Sequence, residues 1–157
     1  MSTATETAGR TETTDDSWQA GVVGGVVGAL AMGALVLGMN EPTLAVAIPS
    51  LYTLAPPPSV GIGMFVHASH GAVLGVVFAA VVGALDVDST GKLAGAGAVW
   101  GVMTWAVLAA LVMPVWLSAV GSPASPPFPN VAPPSLLWHL VYGVVLGGVY
   151  AATADRF

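Results

Sequence analysis

Apolar residues run along this chain in long unbroken stretches rather than in short alternating patterns. Residues 18–39, 59–85, 92–120 and 135–153 hold no charged side chain except Lys92 at the start of the third. A helix needs about 20 apolar residues to cross a hydrocarbon core of ~30 Å, so the pattern predicts four membrane-spanning helices. Asn40-Glu41-Pro42 should end the first, because proline disfavours helical geometry in the residue before it. Residues 41–58 stay apolar but are broken by prolines and close on Pro56-Pro57-Pro58, so they are expected to lie at the membrane interface. Residues 86–91 read as a polar turn, and residues 121–134, with six prolines, as a rigid loop. Ser59 and Ser135 each follow Pro-Pro and are the expected N-caps of the second and fourth helices. Residues 1–17 lack apolar periodicity and read as a disordered cytoplasmic tail. They have no basic start of the kind a signal peptide carries.

Two of the predicted spans repeat each other. Residues 67–81 read HASHGAVLGVVFAAV and residues 139–153 read HLVYGVVLGGVYAAT, aligned without a gap at an offset of 72. His67 matches His139, Gly71 matches Gly143, Leu74 matches Leu146 and Gly75 matches Gly147. The predicted fold class is therefore all-α, a polytopic membrane four-helix bundle built from two tandem helical hairpins. Two hairpins of like orientation should be related by an axis along the membrane normal.

Composition agrees with burial in lipid. The chain of 157 residues is 55% hydrophobic and 7% charged, where soluble domains carry about a quarter charged residues. No cysteine is present, which excludes disulfides and thiolate chemistry. The three basic residues, Arg10, Lys92 and Arg156, fall on one side of a four-span topology. The positive-inside rule makes that side, with both termini, cytoplasmic. The net charge of -5 sits in the ends and one turn, and only one lysine occurs, a balance expected of a salt-loaded cytoplasm. With no basic patch to meet phosphates, nucleic-acid binding is not expected.

In lipid, helices associate through small residues that let backbones approach. His67, Gly71, Gly75 and Ala79 share one face of the second helix, and His139, Gly143, Gly147 and Ala151 the matching face of the fourth. Gly21, Gly25, Ala29 and Gly33 make a similar stripe on the first, and Gly97 and Gly101 on the third. The packing residues singled out are Gly71, Gly75, Gly143 and Gly147, with the second and fourth helices crossing closely at the bundle centre. That crossing would bring His67 and His139 together near the outer rim.

His67, His70 and His139 are the ionisable groups inside the spans, tyrosines apart, and polar groups in lipid usually face the bundle interior or water. Imidazoles there can lock helices by donating to a neighbouring carbonyl. They can ligate haem b as an axial pair, or bind copper with Met39, Met64 and Met113. They can also pass protons. Trp18 on the inner side, and Tyr52, Trp116 and Trp138 on the outer, read as an aromatic belt. No Asp, Glu, Lys or Arg lies deep in a span, which weakens an ion-coupled transporter. No phosphate-cradling loop, metalloprotease helix or Ser-His-Asp pattern occurs.

The segment HLVYGVVLGGVYA, after a proline-rich loop and a glycine-rich helix, resembles small haloarchaeal membrane proteins of about this length. Some of those carry a histidine kinase label, which this chain, without a catalytic domain, does not support. The resemblance implies four helices and a halophilic archaeal source, and no particular activity. The expected role is a non-enzymatic accessory or scaffold component of the membrane, with the lipid bilayer and a homo-oligomer or complex as partners. The alternatives are a haem- or copper-binding redox protein using His67 and His139, and a small oligomeric transporter or channel.

Overall fold

Four helices carry the apolar stretches: α1 (Ser17–Met39), α2 (Val60–Ala84), α3 (Thr90–Ala119) and α4 (Pro133–Thr153). The computed structural model describes residues 17–157. The expected disordered tail therefore lies outside the described residues, apart from Ser17, which already opens α1. All four helices are long and apolar enough to cross a membrane, and no strand occurs among the described residues. The protein is an all-α multi-pass bundle, with Phe65, Val73, Val99 and Val115 among the large side chains left exposed on its outer faces.

The helix starts follow from local chemistry. Ser59 caps α2, its Oγ accepting from the Ile62 amide at 3.3 Å. Ser135 does not cap α4. Pro133 and Pro134 open that helix after an extended Ala132, because proline's fixed φ suits the first turn and its missing N–H is not needed there. From cap to histidine is thus eight residues in α2 (Ser59 to His67) and seven in α4 (Ala132 to His139), where a Ser135 cap would have given four. α2 and α3 end alike. The Val87 amide donates to the Val82 carbonyl at 3.0 Å and the Ser122 amide to the Leu117 carbonyl at 2.9 Å. Each closure needs a left-handed residue, Asp86 (φ 50) in the first and Gly121 (φ 69) in the second.

The connection between α1 and α2 packs onto the bundle. Residues 43–50 form a π turn (Thr43–Ala47) running into a short α turn (Ile48–Ser50), with Leu44, Ile48 and Ser50 buried. A Cβ on Gly63 would land on the Leu44 carbonyl, so this segment sits directly against the start of α2. A second π turn, Trp105–Val112, lies inside α3. Each has a proline just beyond it, at Pro49 and Pro114, and the proline withholds the amide that would bond the carbonyl four residues back. Those carbonyls are recruited elsewhere: Ala45 accepts from the Ser59 amide at 2.8 Å, and Ala110 from the Asn130 amide at 2.9 Å. In both halves the freed carbonyl anchors the proline-rich loop that leads into the next helix.

Glycines set the packing, though not between the helices expected. A Cβ on Gly25 would strike the Gly71 carbonyl, and one on Gly75 the Gly21 carbonyl, so α2 presses its glycine face onto α1. A Cβ on Gly143 would strike the Gly97 carbonyl, and one on Gly147 the Leu93 carbonyl, so α4 does the same with α3. Adding 72 to both members of each α1–α2 pair gives the α3–α4 pair: Gly21·Gly75 becomes Leu93·Gly147, and Gly25·Gly71 becomes Gly97·Gly143. The predicted close crossing of α2 with α4 is absent, because each glycine face is already occupied by its own hairpin partner.

The hairpins instead join through α1 and α4. Gly24 and Gly28 on α1 lie against the backbone of Leu146 and Tyr142. Positions 24 and 28 correspond, 72 residues on, to Ala96 and Trp100 on α3. That indole holds α3 off α2, which it meets through Phe78 with ring centres 6.2 Å apart. Two hairpins built alike are thus joined tightly on one side and splayed on the other.

Candidate functional site

The splay between α2 and α3 opens a cavity of about 780 Å³ at the proline-rich end of the bundle. Four kinds of backbone position its wall. The upper half of α2 contributes His67, His70 and Leu74; α4 contributes Ser135, Trp138, His139 and Tyr142. The π turn of α3 contributes Leu108, Ala109 and Val112, and the buried segment after α1 contributes Thr43, Ala47 and Ile48. A π turn widens the helix and is often found at functional sites, and here both π turns border one space. The wall is largely apolar with a few polar groups, the usual make-up of a small-molecule site.

All three histidines picked from the sequence line this cavity. They do not play equal parts. His70 shares a hydrogen bond with the Tyr52 hydroxyl at 2.7 Å, tying α2 to the chain that crosses the mouth. The Trp116 indole donates to the Leu51 carbonyl at 2.9 Å and ties the same strap to α3. His139 donates from Nδ1 to the Ser135 carbonyl at 2.7 Å, one turn back on its own helix. That bond fixes the tautomer and leaves Nε2 bare. His67 lies beside the Ala29 backbone on α1 and within electrostatic reach of His139 and His70. Its Nε2 is sealed from solvent with no completed hydrogen bond.

Several donors around the wall are spent internally. The Tyr142 hydroxyl donates to the Gly71 carbonyl at 3.1 Å, and Thr104 Oγ1 to the Gly101 carbonyl at 3.0 Å. The Trp138 indole donates to the Met39 sulfur at 3.2 Å. Trp138 is therefore buried rather than part of an outer aromatic belt, whereas Trp18, Tyr52 and Trp116 are exposed. The same bond separates the copper set suggested by the sequence, since Met39 serves the indole and Met64 packs over Gly33. Among the described residues no group of three His, Asp or Glu side chains is placed to hold a metal ion. Of the glycines, Gly71 borders the cavity while Gly75, Gly143 and Gly147 do not, and all four sit in the two hairpin contacts.

Sequence reasoning found the histidines and missed the rest of the wall. Tyr142 was legible as the repeat partner of His70, yet the two differ in role: His70 faces the mouth strap and Tyr142 reaches across to α2. Pro49 and Pro114, each just beyond a π turn, carry the available sequence signal for those turns.

The model of a family of unknown function, DUF6789, matches residues 16–157, and the chain belongs to that family. No curated protein and no solved structure matches it.

Proposed function

We propose that this DUF6789 member is a non-enzymatic membrane component that holds a small, largely apolar molecule in the cavity between α2 and α3. The observation that carries this is the cavity itself: about 780 Å³, walled mostly by apolar side chains, with three imidazoles on one space. A recess of this size between helices has to be filled, because space left empty forfeits contacts. A buried imidazole nitrogen without a partner, as at His67, calls for an explanation that packing alone does not give. The mouth faces the outside of the cell and both termini the cytoplasm. This is supported by Lys92 and Arg156 lying at the opposite end from the proline-rich loops, with Arg10 preceding α1.

The test is organic extraction of protein purified in mild detergent, followed by mass spectrometry. Leu108 lines the cavity, and Leu108→Trp fills it while leaving every glycine contact untouched. The expected result is a small molecule present in the wild-type extract and missing from that variant. Identical extracts would leave only the scaffold role.

A redox-cofactor reading has one specific observation behind it. His139 is held through Nδ1 by a backbone carbonyl with Nε2 free, the way metal-bound imidazoles are held, and His67 shares its cavity. A visible spectrum decides it: a Soret band lost in both His67→Ala and His139→Ala favours haem, and a colourless protein does not.

A further inference from the structure

The polar groups of the cavity do not offer an even mixture of donors and acceptors. Tyr142, Thr104, Trp138 and Trp116 each border the cavity, and each has its N–H or O–H committed to a carbonyl or a sulfur within the protein. His139 Nδ1 is committed as well, and the His70–Tyr52 pair, held by one hydrogen bond, keeps its remaining donor at the mouth. What remains in the inner wall is the lone pair of His139 Nε2, the unpartnered Nε2 of His67, sealed from solvent, and the Ser135 hydroxyl, one turn from His139 and able to give or accept. Asn40, Thr43 and Asn130, with donors of their own, border the cavity from the loop side. The free acceptor whose lone pair is fixed by a backbone bond is thus His139 Nε2, set in a largely apolar wall. A cation is poorly served there, since no carboxylate is among the lining residues.

Taking the cavity as a binding site, we propose that it selects a neutral hydrophobe headed by a hydroxyl group, a phenol or alcohol, that donates its hydrogen bond to His139 Nε2. The apolar body then lies along Leu74, Leu108 and Ala109. A molecule of the same shape whose head is an ether or ketone brings a second acceptor to that lone pair and leaves His139 Nε2 unpaired. In an apolar setting each unpaired group is costly. The wall therefore discriminates by hydrogen-bond polarity and not by shape alone.

The probes are a para-alkyl phenol and its methyl ether of equal chain length, titrated into the full-length protein in lipid nanodiscs. Binding is read by tryptophan quenching, with Leu108→Trp as the filled-cavity reference. The phenol is expected to bind about tenfold more tightly than the ether, the worth of one well-made hydrogen bond. In His139→Phe the two should bind within about twofold of each other. Nitrogen NMR of histidine-labelled wild-type protein should show the His139 Nε2 resonance move on adding phenol and stay put with ether, a readout independent of whether His139→Phe folds. Equal affinities in the wild type overturn the polarity rule while leaving the cavity a binding site. A preference that survives in His139→Phe, or a silent Nε2 resonance, overturns the assignment to this nitrogen. No saturable binding of either probe overturns both the rule and the binding role.

Discussion

The Tyr142 hydroxyl donates to the carbonyl of Gly71, 3.1 Å away, and so links α4 to α2 across a space their backbones do not close. Gly71 already serves as the close-approach point for Gly25 on α1. Its carbonyl thus lies where the first hairpin packs and where the second reaches over. The phenol is buried against α1 as well, beside Gly28. Tyr142→Phe removes this bond but leaves the ring in place. The Gly71 carbonyl keeps its intrahelical bond, so the cost is expected near the lower end for a buried pair, about 0.5–1 kcal/mol. Thermal unfolding in detergent checks it, with a small drop in midpoint expected and no change in helix content.

Neighbouring glycines at the foot of α4 give a sharper contrast. A Cβ on Gly147 would strike the Leu93 carbonyl, whereas one on Gly148 meets nothing within 4 Å. Gly147→Ala should force α3 and α4 apart and cost about 1–3 kcal/mol, as overpacking does. Gly148→Ala should be neutral or mildly stabilising, because alanine is the better helix former. The same logic separates Gly71→Leu and Gly143→Leu, both disruptive, from Gly61→Leu, which projects into open space. Matched thermal shifts across these pairs would falsify the hairpin contacts described.

How far the sequence discloses this molecule follows from what each residue depends on. The four spans depend on local hydrophobicity and were legible to within a residue or two at most ends. The start of α4 was missed because Ser135 looks like a cap only if the prolines before it are read as loop rather than as its first turn. The glycine stripes were visible, but a stripe does not name its partner. Gly71 and Gly143 occupy twin positions, and a twofold axis between twins is as consistent with the pattern as two separate hairpins. Trp100 decides between them, standing where α1 has Gly28, and its bulk becomes meaningful only once α2 is seen beside it. The histidines were found because a polar group in an apolar span is conspicuous. The cavity was not, since empty space leaves no mark on a sequence.

Trp100 also yields a separable prediction. Its ring packs against Phe78, while its buried indole N–H lies near the Tyr142 hydroxyl without completing a hydrogen bond to it. Trp100→Phe keeps a ring as spacer and removes the unpaired donor, so stability should be unchanged or slightly raised. Trp100→Ala removes the wedge and should cost about 3–5 kcal/mol, in line with large-to-small changes at packed aromatic positions. Denaturation midpoints for the two variants test this directly. A wild-type-like midpoint in Trp100→Ala would show that the indole does not hold the helices apart.

Asp86 sits in the left-handed region at φ 50, closing the end of α2. A side chain there costs about 1 kcal/mol relative to glycine. Asp86→Gly is expected to stabilise the fold by that amount, read as a raised thermal midpoint, and a fall would mean the carboxylate makes a contribution that outweighs the strain.

The last prediction concerns the anchored loops. Proline at 114 cannot donate to the Ala110 carbonyl, which accepts from the Asn130 amide at 2.9 Å instead. Restoring an N–H at 114 sets up a competitor on the same helix, close in sequence and already aligned. Pro114→Ala should therefore regularise the π turn of α3 and release Asn130. Hydrogen exchange at the Asn130 amide is expected to speed up by tenfold or more, the loss of about one hydrogen bond's protection. The Ser59 amide, held by Ala45 in the other half, should keep its protection in that variant and lose it in Pro49→Ala. Because the Asn130 loop borders the cavity, probe binding should weaken in Pro114→Ala along with that protection. Faster exchange with unchanged binding would separate the loop anchor from the site.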